Sequence, residues 1–185
     1  MITESQLSKR LGQQAFRVLY TDKQIQERVG LIAAEINKDF VEADPLIIIG
    51  VLKGAFIFTA DLVRHLHIPT VVEFISASSY VKSQSTGQVK TSIQLNAQLE
   101  GRDVLLVEDI VDSGNTVEQL LKALSAFKPK SIKICSLFIK PESMKETSPK
   151  VDYYGFTLSG GFIVGYGLDY DQAYREFPHV IEFLD

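Results

Sequence analysis

The sequence contains a single cysteine among 185 residues, which excludes an internal disulfide framework and fits a reducing compartment. It has no run of about 18 apolar residues, the length that a membrane-spanning helix requires. The first twenty residues are polar and include Lys9 and Arg10 without an apolar stretch, which argues against a secretory signal. It also lacks the G-x-x-x-x-G-K-[ST] nucleotide-binding loop. These absences predict a cytoplasmic protein.

An excess of charge of either sign is also missing. Nineteen basic and twenty-three acidic side chains give a net charge of −4, which does not favour binding to bulk nucleic acid or an anionic membrane. Hydrophobic residues make up 45% of the chain, as in an ordinary globular protein. The length predicts one domain over residues 1–185, with a core at about 40–158 and a hood from about 1–20 and 159–185.

Helix patterns occur three times in the chain. Thr21 and Gln24 form a potential capping box, and apolar residues then recur at spacings of three and four until Asp44-Pro45. Similar spacing predicts helices over 55–66 and 117–127.

Apolar, β-branched runs alternate with these helices and predict strands at residues 46–51, 70–75, 92–95, 104–107 and around Cys135, which we expect to be buried. The polar stretch 76–91 between them is expected to be a long mobile loop. The alternation predicts an α/β fold, a twisted and mainly parallel sheet flanked by helices, with terminal segments as a small cap over one edge.

Residues 104–116 carry the strongest functional signal. Glu108 and Asp109 follow a buried strand. A helix is then expected to begin within a polar segment that contains one glycine: Asp112, Ser113, Gly114, Asn115 and Thr116. Backbone N–H groups and hydroxyls at a helix N-terminus form an anion site. Asp112 or Ser113 could instead simply cap the helix. A cap leaves the Glu108–Asp109 pair without a reason for its desolvation.

The charges at this motif indicate the kind of ligand. Two unit charges about 5 Å apart interact by roughly 3 kcal/mol at an effective dielectric of about 20. A helix N-terminus contributes only about 0.3–2 kcal/mol to anion binding. Three acids beside a phosphate therefore need a cation, or must face sugar hydroxyls. We expect a ribose 5-phosphate carrying a pyrophosphate bound to Mg²⁺.

The 104–116 stretch resembles the 5-phosphoribosyl-1-pyrophosphate (PRPP) signature of the type I phosphoribosyltransferase family. Over residues 21–183 the chain is similar to its hypoxanthine and hypoxanthine-guanine members of bacterial type, through Leu52-Lys53-Gly54, Ser79-Tyr80 with Ser85-Thr86-Gly87, and 162–170. The resemblance implies the type I fold and a purine salvage enzyme. That enzyme transfers the phosphoribosyl group from PRPP to N9 of hypoxanthine, and of guanine, and releases pyrophosphate with IMP or GMP. It further implies Mg²⁺ as cofactor, a homodimer or tetramer, and no nucleic-acid or membrane partner.

The resemblance also assigns roles around PRPP. Glu108 and Asp109 hold the ribose hydroxyls and, with Asp169, the metal. Residues 112–116 bind the 5-phosphate, and Asp112 is the general acid/base at purine N7. Pyrophosphate is bound by Leu52, Lys53, Gly54 and Arg175, with a cis peptide bond before Lys53. Asn115 stands where some relatives carry lysine, which removes one phosphate contact that backbone donors can replace.

For the base, the resemblance implies that Lys140 donates to the 6-oxo group and Phe162 stacks on the ring. The other purine-binding positions are Ile163, Leu168 and Asp169, and the lid residues are Ser79 and Tyr80. The sequence departs from the family at Ser159-Gly160-Gly161, which replaces a charged stretch and bears on base specificity.

Three functions stay open at this point. Hypoxanthine is the first expected substrate and guanine the second, while adenine is disfavoured because an ammonium cannot accept from an exocyclic amine. A xanthine-preferring transferase is one alternative. A PRPP-sensing regulator that binds RNA or DNA is another, which the missing basic stripe disfavours.

Overall fold

A computed structural model describes residues 9–12, 15–41, 44–76 and 95–184. Along the chain these form β1 (Phe16–Tyr20), α1 (Asp22–Asp39), β2 (Leu46–Leu52), α2 (Phe56–Arg64), β3 (Thr70–Ser76), β4 (Asp103–Val111), α3 (Asn115–Ser125), β5 (Ser131–Ile139), a 3₁₀ turn (Pro141–Ser143), β6 (Tyr153–Thr157), β7 (Ile163–Val164) and β8 (Val180–Phe183). Within these residues, no helix combines the length and apolarity needed to cross a membrane.

The main sheet has five strands in the order β3-β2-β4-β5-β6, and all its pairs are parallel. Helices α1 and α2 pack on one face and α3 on the other, as the two main clusters of buried side chains record. Neighbours along a strand serve opposite faces, as Ile48 and Ile49 of β2 do. Both faces are therefore covered, and the α/β fold class is confirmed.

Local sequence signals position α1. The Thr21 hydroxyl accepts from the Gln24 backbone N–H at 3.4 Å, and the Gln24 side chain accepts from the Thr21 N–H at 2.9 Å. This is the capping box expected from the sequence, and it is confirmed. The apolar residues that recur at spacings of three and four, Ile25, Val29, Ile32 and Ile36, are buried, and the helix ends at Asp39 with Phe40 as its C-cap.

Several predicted element bounds are wrong. Strand β4 continues to Val111, because β5 keeps pairing with it up to the Val111–Ile139 pair. Glu108 and Asp109 thus lie inside this strand and not after it. Helix α3 starts at Asn115, within the 112–116 segment expected to open it, but it ends at Ser125 rather than at residue 127, and α2 ends at Arg64. Of the strand expected at 92–95, only Leu95 is described, and it is not in a strand.

A second, smaller sheet joins the two ends of the chain. Strand β8 pairs antiparallel with β1 on one side and β7 on the other. Its own apolar cluster contains Leu11, Val164, Phe177 and Ile181. This sheet is the small hood that the predicted fold class includes, whereas the division of residues 1–185 into core and hood stays a prediction. Cys135 is fully buried in β5, as expected.

Candidate active site

The loop between β4 and α3 leaves the first N–H groups of the helix open. Gly114 is the N-cap residue at φ 77°, a left-handed conformation that favours glycine. The N-cap glycine has no side chain that could cap the helix, and the Asn115 N–H donates to Ser113 Oγ at 3.5 Å, a long hydrogen bond. Ser113 therefore caps only the Asn115 N–H, through this long bond, and among the described residues Asp112 does not cap the helix. The open N–H groups suit an anion.

The paired acids at the end of β4 are desolvated. Glu108 is 5% exposed, and burial together with the neighbouring Asp109 charge raises its pKa well above the ordinary value. Burial also raises the pKa of Asp109, although the Ile110 N–H donates to its Oδ1 at 2.9 Å. Two buried carboxyls side by side favour the neutral form of one of them. The pair is thus suited to a ligand that supplies hydroxyl donors.

The Lys53-Gly54 loop packs directly on Asp109. The Leu52–Lys53 peptide bond is cis, the geometry that the family resemblance implied. A Cβ added to Gly54 would lie 1.6 Å from Asp109 Oδ2, so only glycine fits there. A Cβ at Gly167 would lie 2.1 Å from the Gly54 carbonyl oxygen. Three distant segments therefore meet at one point, the carboxyl-end edge of the parallel sheet.

A polar network from the C-terminal segment completes this edge. Arg175 pairs with Asp169 at 2.6 Å and donates to the Gly167 carbonyl at 2.7 Å. Lys53 Nζ donates to Gln172 Oε1 at 2.9 Å, and the Gln172 N–H donates to Asp169 Oδ2 at 2.9 Å. Sequence reasoning missed Gln172, because its contact with Lys53 spans 119 positions of the chain.

The structure does not gather the three predicted metal ligands into one cluster. Among the described residues, no group of three or more His, Cys, Asp or Glu side chains is placed to hold a metal ion. Asp109 packs on Gly54 and Gly167 packs on the Gly54 carbonyl, while Asp169 is joined to Gly167 through Arg175, so the two carboxylates lie on either side of one contact. They fit a hard cation that takes most of its oxygen ligands from a phosphorylated substrate.

Lys140 connects residues 112–116, the phosphate loop, to the predicted base site. Its ammonium donates to the Gly161 carbonyl at 3.1 Å and lies 3.9 Å from Asp112 Oδ2. Phe162 follows Gly161 and is 50% exposed, so its ring is free to stack on a ligand. Its ring centroid is 6.0 Å from that of Phe183 and 5.6 Å from that of Tyr170.

Two further predicted base-site residues, Ile163 and Leu168, are buried in the main apolar cluster. Residues 159–161, where the sequence differs from the family pattern, pack against Glu182 at Gly161. A Cβ at Gly161 would lie 1.9 Å from Glu182 Oε1, and Arg17 Nε donates to Glu182 Oε2 at 2.6 Å. Sequence reasoning missed this cross-strand pair.

Other expectations fall on exposed or undescribed positions. Asp112, Asn115, Thr116, Leu52 and Lys53 are exposed at the mouth of the site. The lid residues Ser79 and Tyr80 lie outside the described residues. Ser148, which donates to the Ser113 carbonyl at 3.0 Å, and Lys145 also border the phosphate loop, and no sequence motif marked them.

Comparisons with known proteins agree with this geometry. The family model described as "Phosphoribosyl transferase domain" matches residues 19–171. A hypoxanthine-guanine phosphoribosyltransferase from Dictyostelium discoideum is 41% identical, over 91% of this chain and 95% of that protein. A hypoxanthine phosphoribosyltransferase from Escherichia coli is 38% identical, over 88% of this chain and 92% of that protein. A crystal structure of a hypoxanthine-guanine phosphoribosyltransferase from Bacillus anthracis superposes with a TM-score of 0.81 at 39% identity, covering 91% of this chain and 98% of that one.

Proposed function

The chain belongs to the phosphoribosyltransferase family, among its hypoxanthine and hypoxanthine-guanine members, and from this premise we infer its reaction. It is a purine salvage enzyme that transfers the 5-phosphoribosyl group from PRPP to N9 of hypoxanthine and guanine. The products are IMP or GMP and pyrophosphate. The relatives of both names support this range of bases.

One observation carries the assignment of a 6-oxopurine substrate. The Lys140 ammonium lies between the phosphate loop and the segment before Phe162, 3.9 Å from Asp112 Oδ2 and 3.1 Å from the Gly161 carbonyl. A nucleoside monophosphate with its phosphate at the start of α3 and its base against Phe162 has its 6-oxo edge near this ammonium. An ammonium donates only, which favours 6-oxopurines over adenine.

The residues of the phosphate loop have separate tasks in this proposal. The N–H groups of residues 113–116 bind the 5-phosphate, and Glu108 and Asp109 accept the ribose hydroxyls. Asp112, exposed at the mouth of the loop, takes the proton from purine N7 as N9 attacks C1′. Positive charge that develops on the ribose is stabilised by the nearby carboxylates.

The opposite side of the site receives the leaving group and the base. The backbone of Leu52, Lys53 and Gly54 and the Arg175 guanidinium bind pyrophosphate. Phe162 stacks on the base, Ile163 presents its backbone to the base edge, and Leu168 lines the pocket. Ser79 and Tyr80 are assigned to the lid, which excludes water during transfer.

We assign Mg²⁺ to the region of the Gly54–Gly167 contact, beside Asp109 and Asp169, where one or two carboxylates and substrate oxygens suffice as ligands. When bound, the ion neutralises the pyrophosphate. The chain itself contributes the orientation of Asp169, which the Arg175 guanidinium and the Gln172 N–H hold in place.

We further propose that the enzyme is a homo-oligomer. Strand β3 lies at the edge of the main sheet and exposes the apolar side chains of Val71, Val72 and Phe74 by 38–42%. A second copy would cover such an edge. The cytoplasmic location inferred from the sequence stays a prediction.

A substrate panel tests the reaction. Purified protein with PRPP is given hypoxanthine, guanine, xanthine or adenine, with and without Mg²⁺, and pyrophosphate release is measured. We expect release with hypoxanthine and guanine that depends on Mg²⁺, and little with adenine. Preference for xanthine would correct the substrate. No turnover, combined with salt-sensitive binding to RNA or DNA, would assign the chain to the regulators instead.

A further inference from the structure

A short turn at residues 145–148 is fixed on the phosphate loop. The Ser148 N–H donates to the Lys145 carbonyl at 2.9 Å, and the Lys145 N–H donates to Ser148 Oγ at 3.0 Å. The same hydroxyl donates to the Ser113 carbonyl at 3.0 Å, and a Cβ at Gly114 would lie 3.0 Å from Ser148. These contacts fix the turn beside the phosphate loop, although the turn follows β5 in the chain and the loop follows β4.

This turn places an ammonium group at the start of α3. Lys145 Nζ lies 3.3 Å from Oδ1 of Asn115, the first residue of the helix, and both side chains are exposed. In the described part of the chain, Lys145 has no ion pair within 4.0 Å. Glu118, in the first turn of α3, is bonded to Lys122 at 2.6 Å, and this contact lowers its pKa most, with a smaller contribution from the Lys145 charge. The Lys145 ammonium is thus free to pair with a ligand anion.

The charge balance of the loop calls for such a cation. The loop follows the acids Glu108 and Asp109 and itself contains Asp112, while its remaining residues, from Ser113 to Thr116, are neutral. Lys140 is engaged by Asp112 and the Gly161 carbonyl. An ammonium on a flexible stem suits a phosphate, because it offers three donors without a fixed direction.

We propose that Lys145 is a binding residue for the 5-phosphate of PRPP and of the nucleotide product. The assignment rests on the proposed function, since it takes the phosphate to lie at the N-terminus of α3. From the 145–148 turn, Lys145 supplies the side-chain cation that the neutral Asn115 does not.

The direct test is Lys145→Met, with binding measured by titration calorimetry in the presence of Mg²⁺. We expect PRPP and IMP to bind about tenfold more weakly. This loss lies between that expected for removing an exposed ion pair and that expected for removing a hydrogen bond to a charged group. Inosine, which lacks the phosphate, should bind as it does to the wild type. In kinetics, KM for PRPP should rise about tenfold while kcat and KM for hypoxanthine change less than about twofold.

Two further variants separate phosphate binding from a structural role. Lys150→Met, on the same exposed segment, is the control and should bind PRPP normally. Adding Asn115→Lys to Lys145→Met should restore most of the PRPP affinity, because the side chain of residue 115 already reaches within 3.3 Å of the place that the Lys145 ammonium occupies in the wild type.

The outcomes keep the two proposals apart. Equal loss of IMP and inosine binding, or unchanged PRPP binding in Lys145→Met, would overturn the assignment of Lys145 and leave the reaction untouched. Wild-type protein that binds PRPP but releases no pyrophosphate would overturn the reaction, while the calorimetry would still decide the role of Lys145.

Discussion

At the scale of single residues, the site consists of side chains whose ordinary behaviour is altered by burial or by a neighbour. Glu108 and Asp109 are desolvated, whereas Asp112 stays exposed at the mouth of the loop. This difference suits a division of tasks, with buried carboxyls for binding and an exposed one for proton transfer.

Asp112→Asn tests the proton-transfer role. The amide keeps the size of the side chain but cannot take a proton from N7. We expect kcat to fall by about 10²–10⁴, the usual contribution of a general base, while the dissociation constant for PRPP stays nearly unchanged. Steady-state kinetics and calorimetry measure both. Wild-type kcat in this variant would remove Asp112 from the mechanism.

Glu108→Gln tests the raised pKa of the buried carboxyl. As the pH rises above the ordinary glutamate pKa, the unfolded chain releases this proton while the folded chain retains it, so wild-type stability falls with rising pH. The glutamine variant lacks this loss. We expect its free energy of unfolding in urea, relative to the wild type, to be higher at pH 8 than at pH 5.

The same variant should lose about tenfold in kcat/KM for PRPP, because the amide offers one acceptor oxygen to the ribose hydroxyls where the carboxyl group offers two. Glu142→Gln, at an exposed position, is the control. It should leave kcat/KM for PRPP unchanged, and its free energy of unfolding relative to the wild type should be the same at pH 5 and pH 8. A stability difference that is the same at both pH values would contradict the burial argument.

At the scale of elements, the site depends on segments that approach each other more closely than side chains would allow. Gly54 abuts the Asp109 carboxylate, and Gly167 abuts the Gly54 carbonyl. The Lys53-Gly54 loop, the end of β4 and the segment after β7 are thereby fixed relative to one another.

Gly54→Ala tests this close approach. Its Cβ would lie 1.6 Å from Asp109 Oδ2, so the loop or the carboxyl must move. We expect kcat/KM for PRPP to fall about 100-fold in a folded protein, because small displacements in a site are costly. Circular dichroism and kinetics check this.

The matched control is Gly30→Ala in α1, where nothing in the described chain lies within 4 Å of the added Cβ. It should stabilise the protein by about 0.5–1 kcal/mol, since alanine is the better helix former, without affecting activity. Normal kcat/KM in Gly54→Ala would show that the approach does not matter.

For the whole molecule, the sequence predicts contiguous features well. The start of α1 was predictable because its cap and apolar spacing are local. The acid pair and the phosphate loop lie within thirteen consecutive residues, 104–116, so their proximity follows from the chain itself. The end of β4 was not predictable, since it is fixed by pairing with β5 up to Ile139.

The contacts that were missed join positions far apart in the chain. Lys53 and Gln172 are separated by 119 positions, Arg17 and Glu182 by 165, and Ser113 and Ser148 by 35. No periodicity or motif in a single sequence encodes which of many polar side chains will meet across the fold. The family follows from similarity over most of the chain, whereas the roles of the individual site residues are predictions that variants at those residues test.

Val72→Glu tests the proposed assembly. A charge on the exposed edge strand β3 would be desolvated if a second copy covers it, so we expect the dissociation constant of the oligomer to rise at least about tenfold. Size-exclusion chromatography with light scattering over a range of concentrations measures this. Val41→Glu, at a position 71% exposed beside the starts of β4 and β5, is the control. A folded Val72→Glu protein with wild-type mass would contradict the proposed surface.

The decisive measurement for the site is a crystal structure of the protein with IMP. The 5-phosphate should accept hydrogen bonds from the backbone N–H groups of residues 113–116, and the base should stack on Phe162 with its 6-oxo group beside Lys140. A nucleotide bound elsewhere, with the loop between β4 and α3 empty, would contradict this site and the reaction inferred from it.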